Sequence, residues 1–260
     1  MGISKNTARP QRPILGIWQQ IPLPAVSRYL AEAGWEWIFL DLQHGCLDSR
    51  TTYECIHAIR TAGAKPFVRV PIGAYSEISK YLDLGAQGIV VPMVNSVREA
   101  RLAAQAAKYP PLGARSMGGD AAYHYGDDYP ERANTETLLF VQIEHIRAVR
   151  AVREILAVRG VDGCFVGPTD LALSMGLPRM GFEKNPKHQA AIQRTVETCK
   201  SLGKIPCCNT YSLDDARLKA RQGYACVTLE SDVKLFMKSA RELFAGSRQA
   251  VESIKNKRQT

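Results

Sequence analysis

No apolar run in this sequence approaches the ~20 residues a bilayer-crossing helix needs, so no membrane partner is expected. The opening MGISKNTARPQRP is polar and lacks the apolar core of a secretory leader. Gly2 invites a myristoylation reading, but Asn6 stands where that motif needs Ser or Thr. Together these absences point to a cytoplasmic protein. The seven cysteines, Cys46, Cys55, Cys164, Cys199, Cys207, Cys208 and Cys226, show no CxxC or Cys/His spacing. Several lie within apolar runs, as Cys164 does in DGCFVG, so they read as reduced core residues. No GxGxxG follows the first strand-like run, which argues against a dinucleotide fold. Acidic residues are the scarcer charge, 25 against 34 basic, for a net +9. The basic residues are spread along helical stretches such as RAVRAVREILAVR, and only the short tail KNKRQT clusters. With no nucleic-acid motif present, a nucleic-acid partner is not expected.

What the chain does have is a regular alternation. Its 260 residues suit one domain over 1–260, with 1–13 as a flexible N-terminus and 246–260 as a C-terminal tail. Eight β-rich runs can be read: 14–18, 37–42, 65–70, 88–94, 138–145, 161–167, 204–210 and 225–231. They are continuously apolar, as parallel strands buried on both faces are. Amphipathic helical stretches separate them. Gly34, Gly63 and Gly85 stand where helices should stop, and Ser96 with Glu99 forms a capping-box pattern. Eight β-α repeats in a chain near the ~250 residues typical of eightfold barrels predict a (β/α)8, or TIM, barrel. Residues 109–137 are rich in Gly, Pro, Tyr and Asp; placed after strand four, they are expected to form a lid on the catalytic face. A second insertion, GLPRMGFEKNPKH, follows strand six.

In such barrels the chemistry sits where strands end. Here those ends carry Trp18-Gln19-Gln20, Asp41-Leu42-Gln43-His44-Gly45, Arg69, Gln142-Ile143-Glu144, Gly167-Pro168-Thr169-Asp170, Asn209 and Glu230. Polar groups that finish apolar strands need partners or a ligand; singly they fit structural ion pairs, but as a set they point to a site. Glu144 and Asp170, with Gln142 nearby, suit a hard divalent ion such as Mg²⁺ or Mn²⁺. Zn²⁺ is less natural without His or Cys ligands. Two acids also suit acid/base hydrolysis, but that leaves Arg69 and His44 unexplained. A helix beginning at Gly167-Pro168-Thr169 would aim backbone N–H groups at a carboxylate, unless Thr169 serves only as its cap. No lysine ends a strand: Lys65 and Lys204 begin theirs, which removes a Schiff-base aldolase.

These residues resemble the HpcH/HpaI family of class II 2-oxo-acid aldolases over about residues 14–245. The landmarks are DLQHG (41–45), RVP (69–71), LDLGAQGIVVPMV (82–94), PPLGARSMGG (110–119), QIEH (142–145), VDGCFVGPTDLALSMG (161–176) and LESDVKLF (229–236). The resemblance implies a phosphoenolpyruvate/pyruvate-type barrel, a divalent ion (Mg, Mn or Co), and reversible cleavage of a 4-hydroxy-2-oxo acid to pyruvate and an aldehyde. By resemblance Glu144 and Asp170 hold the metal. Trp18, Gln142, Gly167, Pro168 and Thr169 bind substrate. His44 is the base, Arg69 stabilises the enolate and Asp83 tunes His44, with Asp41 as the alternative partner of His44 within the chain. The resemblance also implies a homohexamer, a dimer of trimers joined by exchanged C-terminal helices. Physical support comes from the apolar residues of the last helix, Val233, Leu235, Phe236, Met237, Leu243 and Phe244, which exceed a one-sided stripe.

Three places depart from the family pattern: Glu230 replaces the usual Gly, His145 a small polar residue, and Gln19-Gln20 is unfamiliar. Asp83 ends a helix that leads into strand four, so it should face the bottom of its own barrel and reach a His44 only in a neighbouring subunit. Alternative readings are a citramalyl- or malyl-CoA-type lyase, which would need a nucleotide groove, and a non-catalytic binding barrel. The sequence names neither the aldehyde nor the pathway.

Overall fold

The computed structural model describes residues 12–119 and 124–257. Eight parallel strands close in chain order into a barrel. They are β1 (Ile14–Gln19), β2 (Trp37–Asp41), β3 (Lys65–Arg69), β4 (Gly88–Val91), β5 (Leu138–Ile143), β6 (Gly163–Val166), β7 (Ile205–Thr210) and β8 (Cys226–Ser231). The helices between them are α1 (Pro24–Glu32), α2 (Ser49–Thr61), α3 (Tyr75–Asp83), α4 (Val97–Ala107), α5 (Tyr129–Glu136), α6 (Ile146–Arg150), α7 (Val152–Leu156), α8 (Pro168–Ser174), α9 (Pro186–Ser201) and α10 (Leu213–Gln222). The last, α11, runs Asp232–Lys257. The expected (β/α)8 barrel is therefore the fold, and each strand overlaps its expected run.

The barrel interior is aromatic. Trp18, Trp37, Phe39, Phe67, Phe140 and Phe165 form one buried cluster, with Trp37 stacked on Phe67 at 4.4 Å between centroids. Glycine makes room for rings this large: a Cβ at Gly16 would lie 2.7 Å from the Phe39 ring, and one at Gly88 would run into Phe67. Each buried Phe-sized side chain stabilises the fold by about 1.5–3 kcal/mol. A second, aliphatic cluster fills the layer between strands and helices. The aromatic plug is the floor on which the polar strand ends stand.

One expectation is corrected by position. Residues 109–137 follow α4, not β4, so the chain has already crossed back to the face opposite the strand ends. The segment is anchored there: Arg115 binds Asp83 at 2.6 Å, Tyr125 donates to the Gly85 carbonyl at 2.8 Å, and Arg60 donates to the His124 carbonyl at 2.9 Å. Its described residues, 109–119 and 124–137, form no lid over the catalytic mouth. Within the expected C-terminal tail from residue 246, α11 continues as far as Lys257. At the other end β1 begins at Ile14, and Arg12 already pairs with Glu36 at 2.8 Å; residues 1–11 of the expected flexible N-terminus lie outside the described residues.

Ser96 caps α4 as expected, accepting the Glu99 N–H at 3.3 Å. The Glu99 carboxylate, however, takes the Asn95 N–H rather than that of Ser96. Among the described residues no helix is long and apolar enough to cross a membrane.

Candidate active site

The site grows out of the turn after β2. Asp41 ends that strand, and its Oδ1 accepts the backbone N–H groups of Gln43 at 3.1 Å and His44 at 3.2 Å. Gly45 N–H closes the turn on the Asp41 carbonyl at 3.0 Å, and a Cβ on Gly45 would strike that same carbonyl. The turn leaves His44 exposed at the mouth. The His44 ring has no hydrogen-bond partner among the described residues, so Asp41 orients the His44 backbone and does not touch its ring.

The Asp41 carboxylate is directed chiefly at Arg69. Nε and Nη2 of Arg69 donate to its two oxygens at 2.9 and 2.7 Å, a bidentate pair on neighbouring strands in register. Gln20 adds a bond at 3.0 Å. Burial pushes the Asp41 carboxyl up, but Arg69 and Gln20 outweigh it and hold it below its ordinary range. Arg69 also lies over the Trp18 ring, 4.3 Å from Cζ to centroid. The indole N–H of Trp18 is taken by Asn209 at 2.6 Å and Thr228 at 3.1 Å. Trp18 therefore offers a ring face to the site, with its polar edge already engaged.

Across the mouth stands Glu144, just past β5 and 3 % exposed. Its Oε1 accepts the Met93 N–H at 2.8 Å, a contact made by a backbone in the left-handed region, φ 55°. Burial pushes the Glu144 carboxyl up to about 7; the Met93 N–H and Arg69 oppose this, and the charge of Asp170 adds to it. Asp170 comes from the first turn of α8, so the two carboxylates are near enough to repel. A Cβ on Gly167 would collide with Glu144 Oε2 and lie 3.3 Å from the Gln142 amide nitrogen. The buried Gln142 Oε1 has no hydrogen-bond partner among the described residues.

These features fit a hard divalent ion: a buried carboxylate that resists ionisation, a second carboxylate beside it, an orphaned amide oxygen, and a cradle kept open by glycine. Among the described residues no group of three or more His, Cys, Asp or Glu side chains forms a candidate cage, so an ion here would rest on the two carboxylates. The first turn of α8 has no side-chain cap. Thr169 pairs instead with the Tyr211 hydroxyl at 2.7 Å, so it is not the helix cap. His188 fixes this turn from below, its Nε2 2.8 Å from the Pro168 carbonyl.

One candidate is not brought to the mouth. Asp83 ends α3 on the opposite face and is held by Arg115 at 2.6 Å. Burial raises its carboxyl, and Arg115 only partly offsets this. It does not meet His44 within its own chain.

The family model described as HpcH/HpaI aldolase/citrate lyase matches residues 15–239. The chain belongs to this family. A hydroxypyruvate/pyruvate aldolase of Cupriavidus necator is 33% identical over 241 residues, covering 90% of this chain and 88% of the relative. A 2-dehydro-3,6-dideoxy-6-sulfogluconate aldolase of Pseudomonas putida is 35% identical, covering 92% and 95%. The crystal structure of an HpcH/HpaI aldolase/citrate lyase family protein from Burkholderia cenocepacia superposes with a TM-score of 0.83 at 30% identity, covering 91% of this chain and 95% of the other.

The three departures from the HpcH/HpaI pattern now have local explanations. Glu230 has φ 58°, a left-handed backbone that suits the Gly expected there and disfavours a side chain by about 1–2 kcal/mol. His145 caps α6, its Nδ1 accepting the Arg147 N–H at 3.1 Å. Gln19 is buried and ties the loop after β1 through the Ile21 carbonyl at 2.9 Å and the Ser27 hydroxyl at 2.7 Å, while Gln20 reaches Asp41. Sequence reasoning missed Met93, which acts through a backbone N–H that no residue type announces, and left Asn209 without a role.

Proposed function

We propose that this chain is a class II aldolase that cleaves a 4-hydroxy-2-oxo acid to pyruvate and an aldehyde, and runs in reverse, with Mg²⁺, Mn²⁺ or Co²⁺ at Glu144 and Asp170. The observation that carries the reading is the pairing, across one mouth, of a buried carboxylate site with an Arg69 locked by Asp41. The names of the Cupriavidus and Pseudomonas relatives support it. When bound, the metal supplies Lewis acidity to the 2-oxo group. The chain's own residues do the rest. Gln142 and the uncapped first turn of α8, Gly167-Pro168-Thr169, hold the substrate carboxylate. His44 takes the proton of the 4-hydroxyl; the C3–C4 bond breaks, the aldehyde carbonyl forms, and the electron pair passes into the C2–C3 enolate. Arg69 spends two of its five N–H groups on Asp41, and its fixed charge stabilises the enolate oxygen. Protonation at C3 completes pyruvate. Trp18 supplies the apolar wall beneath Arg69.

We also place the chain in a homo-oligomer, a hexamer built as a dimer of trimers. Support comes from α11, whose Phe236, Leu243 and Phe244 are 66%, 74% and 69% exposed, an apolar face that a partner would cover. In that assembly Asp83 would act on His44 of a neighbour. The unbridged cysteines support a reducing, cytoplasmic setting.

The test is pyruvate release from a panel of 4-hydroxy-2-oxo acids. Release that EDTA abolishes and Mn²⁺ restores is expected. Inactivity on all of them, with cleavage of malyl- or citramalyl-CoA instead, would overturn the assignment in favour of an acyl-CoA lyase.

A further inference from the structure

Most buried cations of this barrel have a carboxylate within reach. Arg69 has Asp41 at 2.7 Å, Lys108 has Asp162 at 2.7 Å, and Arg115 has Asp83 at 2.6 Å. Arg60 and Lys65 are different. They line one cavity of about 360 Å³ on the face opposite the active site, together with Gln87, Tyr125, Arg132 and Glu136. Neither has an ion pair among the described residues. Arg60 donates from Nη2 to the His124 carbonyl at 2.9 Å and stacks on the Tyr125 ring at 4.0 Å, while its Nη1 is closed to solvent and has no hydrogen-bond partner among the described residues. Lys65 begins β3 and is half-buried; burial lowers the pKa of its ammonium. The nearby carboxylate of Glu36 is already engaged by Arg12 at 2.8 Å and the Leu15 N–H at 3.0 Å.

The remaining charges on the wall nearly cancel. Arg132 is bound by Asp128 at 2.8 Å and by Glu136. Counting the lining side chains alone, Arg60, Lys65 and Arg132 against Glu136 leave two positive charges. An excess of positive side chains on a concave wall attracts an anion. A planar guanidinium fork beside a mobile ammonium suits tetrahedral phosphate oxygens. The cavity is also several times larger than one phosphate group, which leaves space for a short polar body.

We propose that this cavity, between the ends of α2 and α5 and the starts of β3 and β4, is a binding site for a phosphate dianion, free or as a small phosphomonoester, with Arg60 and Lys65 as its ligands. The cavity lies on the face opposite its own chain's aldolase mouth, and none of its lining residues has a role in the reaction proposed above.

The test is calorimetric titration of the metal-loaded enzyme, saturated with pyruvate, with inorganic phosphate, glycerol 3-phosphate and succinate in turn at constant ionic strength. Saturable binding of phosphate is expected, tighter binding of the monoester if the cavity also takes the body, and none of succinate. Arg60→Met and Lys65→Met should each weaken binding about tenfold or more, the loss of one charge-assisted contact. Both should keep the wild-type rate of pyruvate release, and Arg60→Lys should retain part of the affinity. Glu144→Gln, at the other mouth, should bind phosphate unchanged. The proposal is overturned by absence of saturable binding, by equal binding of succinate, by unchanged affinity in the Arg60→Met/Lys65→Met double variant, or by loss of binding in Glu144→Gln. It is overturned equally if the Arg60 and Lys65 variants alter the mass of the assembly while phosphate fails to bind, because the cavity would then belong to a subunit contact.

Discussion

Replacing Gly167 by alanine adds one methyl group where the metal site is tightest. The backbone there, φ −102° and ψ 89°, has negative φ and needs no glycine, so the effect is steric. The new Cβ would collide with Glu144 Oε2, lie 2.8 Å from Glu144 Cβ and 3.3 Å from the Gln142 amide nitrogen. Glu144 cannot simply swing away, because its other oxygen is held by the Met93 N–H at 2.8 Å. The carboxylate must therefore lose that bond or shift by on the order of 1 Å, and a misplacement of that size costs about 100-fold in rate. Metal affinity should fall about 10- to 100-fold, as when a ligand's support is removed, and stability by about 1–3 kcal/mol from overpacking. Calorimetric Mn²⁺ titration, a thermal melt and the pyruvate-release assay read the three effects. Wild-type metal affinity and turnover in Gly167→Ala would refute the placement of a metal against Glu144.

Further outcomes follow from the same geometry. Asp41→Asn leaves Arg69 buried without its charge partner, so stability should fall by about 3–5 kcal/mol; a melt unchanged from wild type would show that the pair does not carry that weight. Burial raises Glu144 to about 7 in the metal-free protein, so the neutral carboxyl favours the fold below about 4.5, its unfolded value, and that contribution is lost as pH rises through 7. EDTA-treated protein should therefore melt lower at pH 8 than at pH 5 by up to about 3 kcal/mol on this account, and Glu144→Gln should lose that component of the slope; an identical slope in the variant contradicts it. If His44 serves the 4-hydroxyl proton, His44→Ala should slow cleavage more than proton exchange at the pyruvate methyl, and equal losses reject that role. Light scattering should report an oligomer, and exchanged mixtures of inactive His44→Ala and Asp83→Ala subunits should regain activity; verified exchange without recovery removes Asp83 from a neighbour's site.

The barrel was legible because both of its signals are local and repeated: continuously apolar runs for strands buried on two faces, and glycines such as Gly34 and Gly85 that end helices with φ 99° and 96°. The polar ends of β1, β2, β3 and β5 were legible for the same reason, since Asp41, Arg69 and Gln142 are conspicuous at the end of apolar strands. What stayed hidden depends on contacts distant in sequence or on the backbone. Nothing in the sequence says that the Met93 N–H faces Glu144, or that Asp41 divides its oxygens between Arg69 and the His44 backbone. The 109–137 segment was misplaced by counting from the strand before it; α4 lies between, and a helix returns the chain to the other face. Glu230 stands out in the sequence only as an acid at the end of an apolar strand; its left-handed backbone, φ 58°, shows only in the structure.

The most direct test of the account is loss of the pyruvate methyl signal in D₂O, followed by proton NMR with Mg²⁺ and without any aldehyde. It isolates enolate formation from carbon–carbon cleavage. The account predicts exchange in the wild-type enzyme, its collapse with EDTA and its return with added Mg²⁺, and deep losses in Glu144→Gln and Arg69→Ala. Undiminished exchange in the EDTA-treated enzyme, or in Glu144→Gln that is shown to be folded, would contradict it.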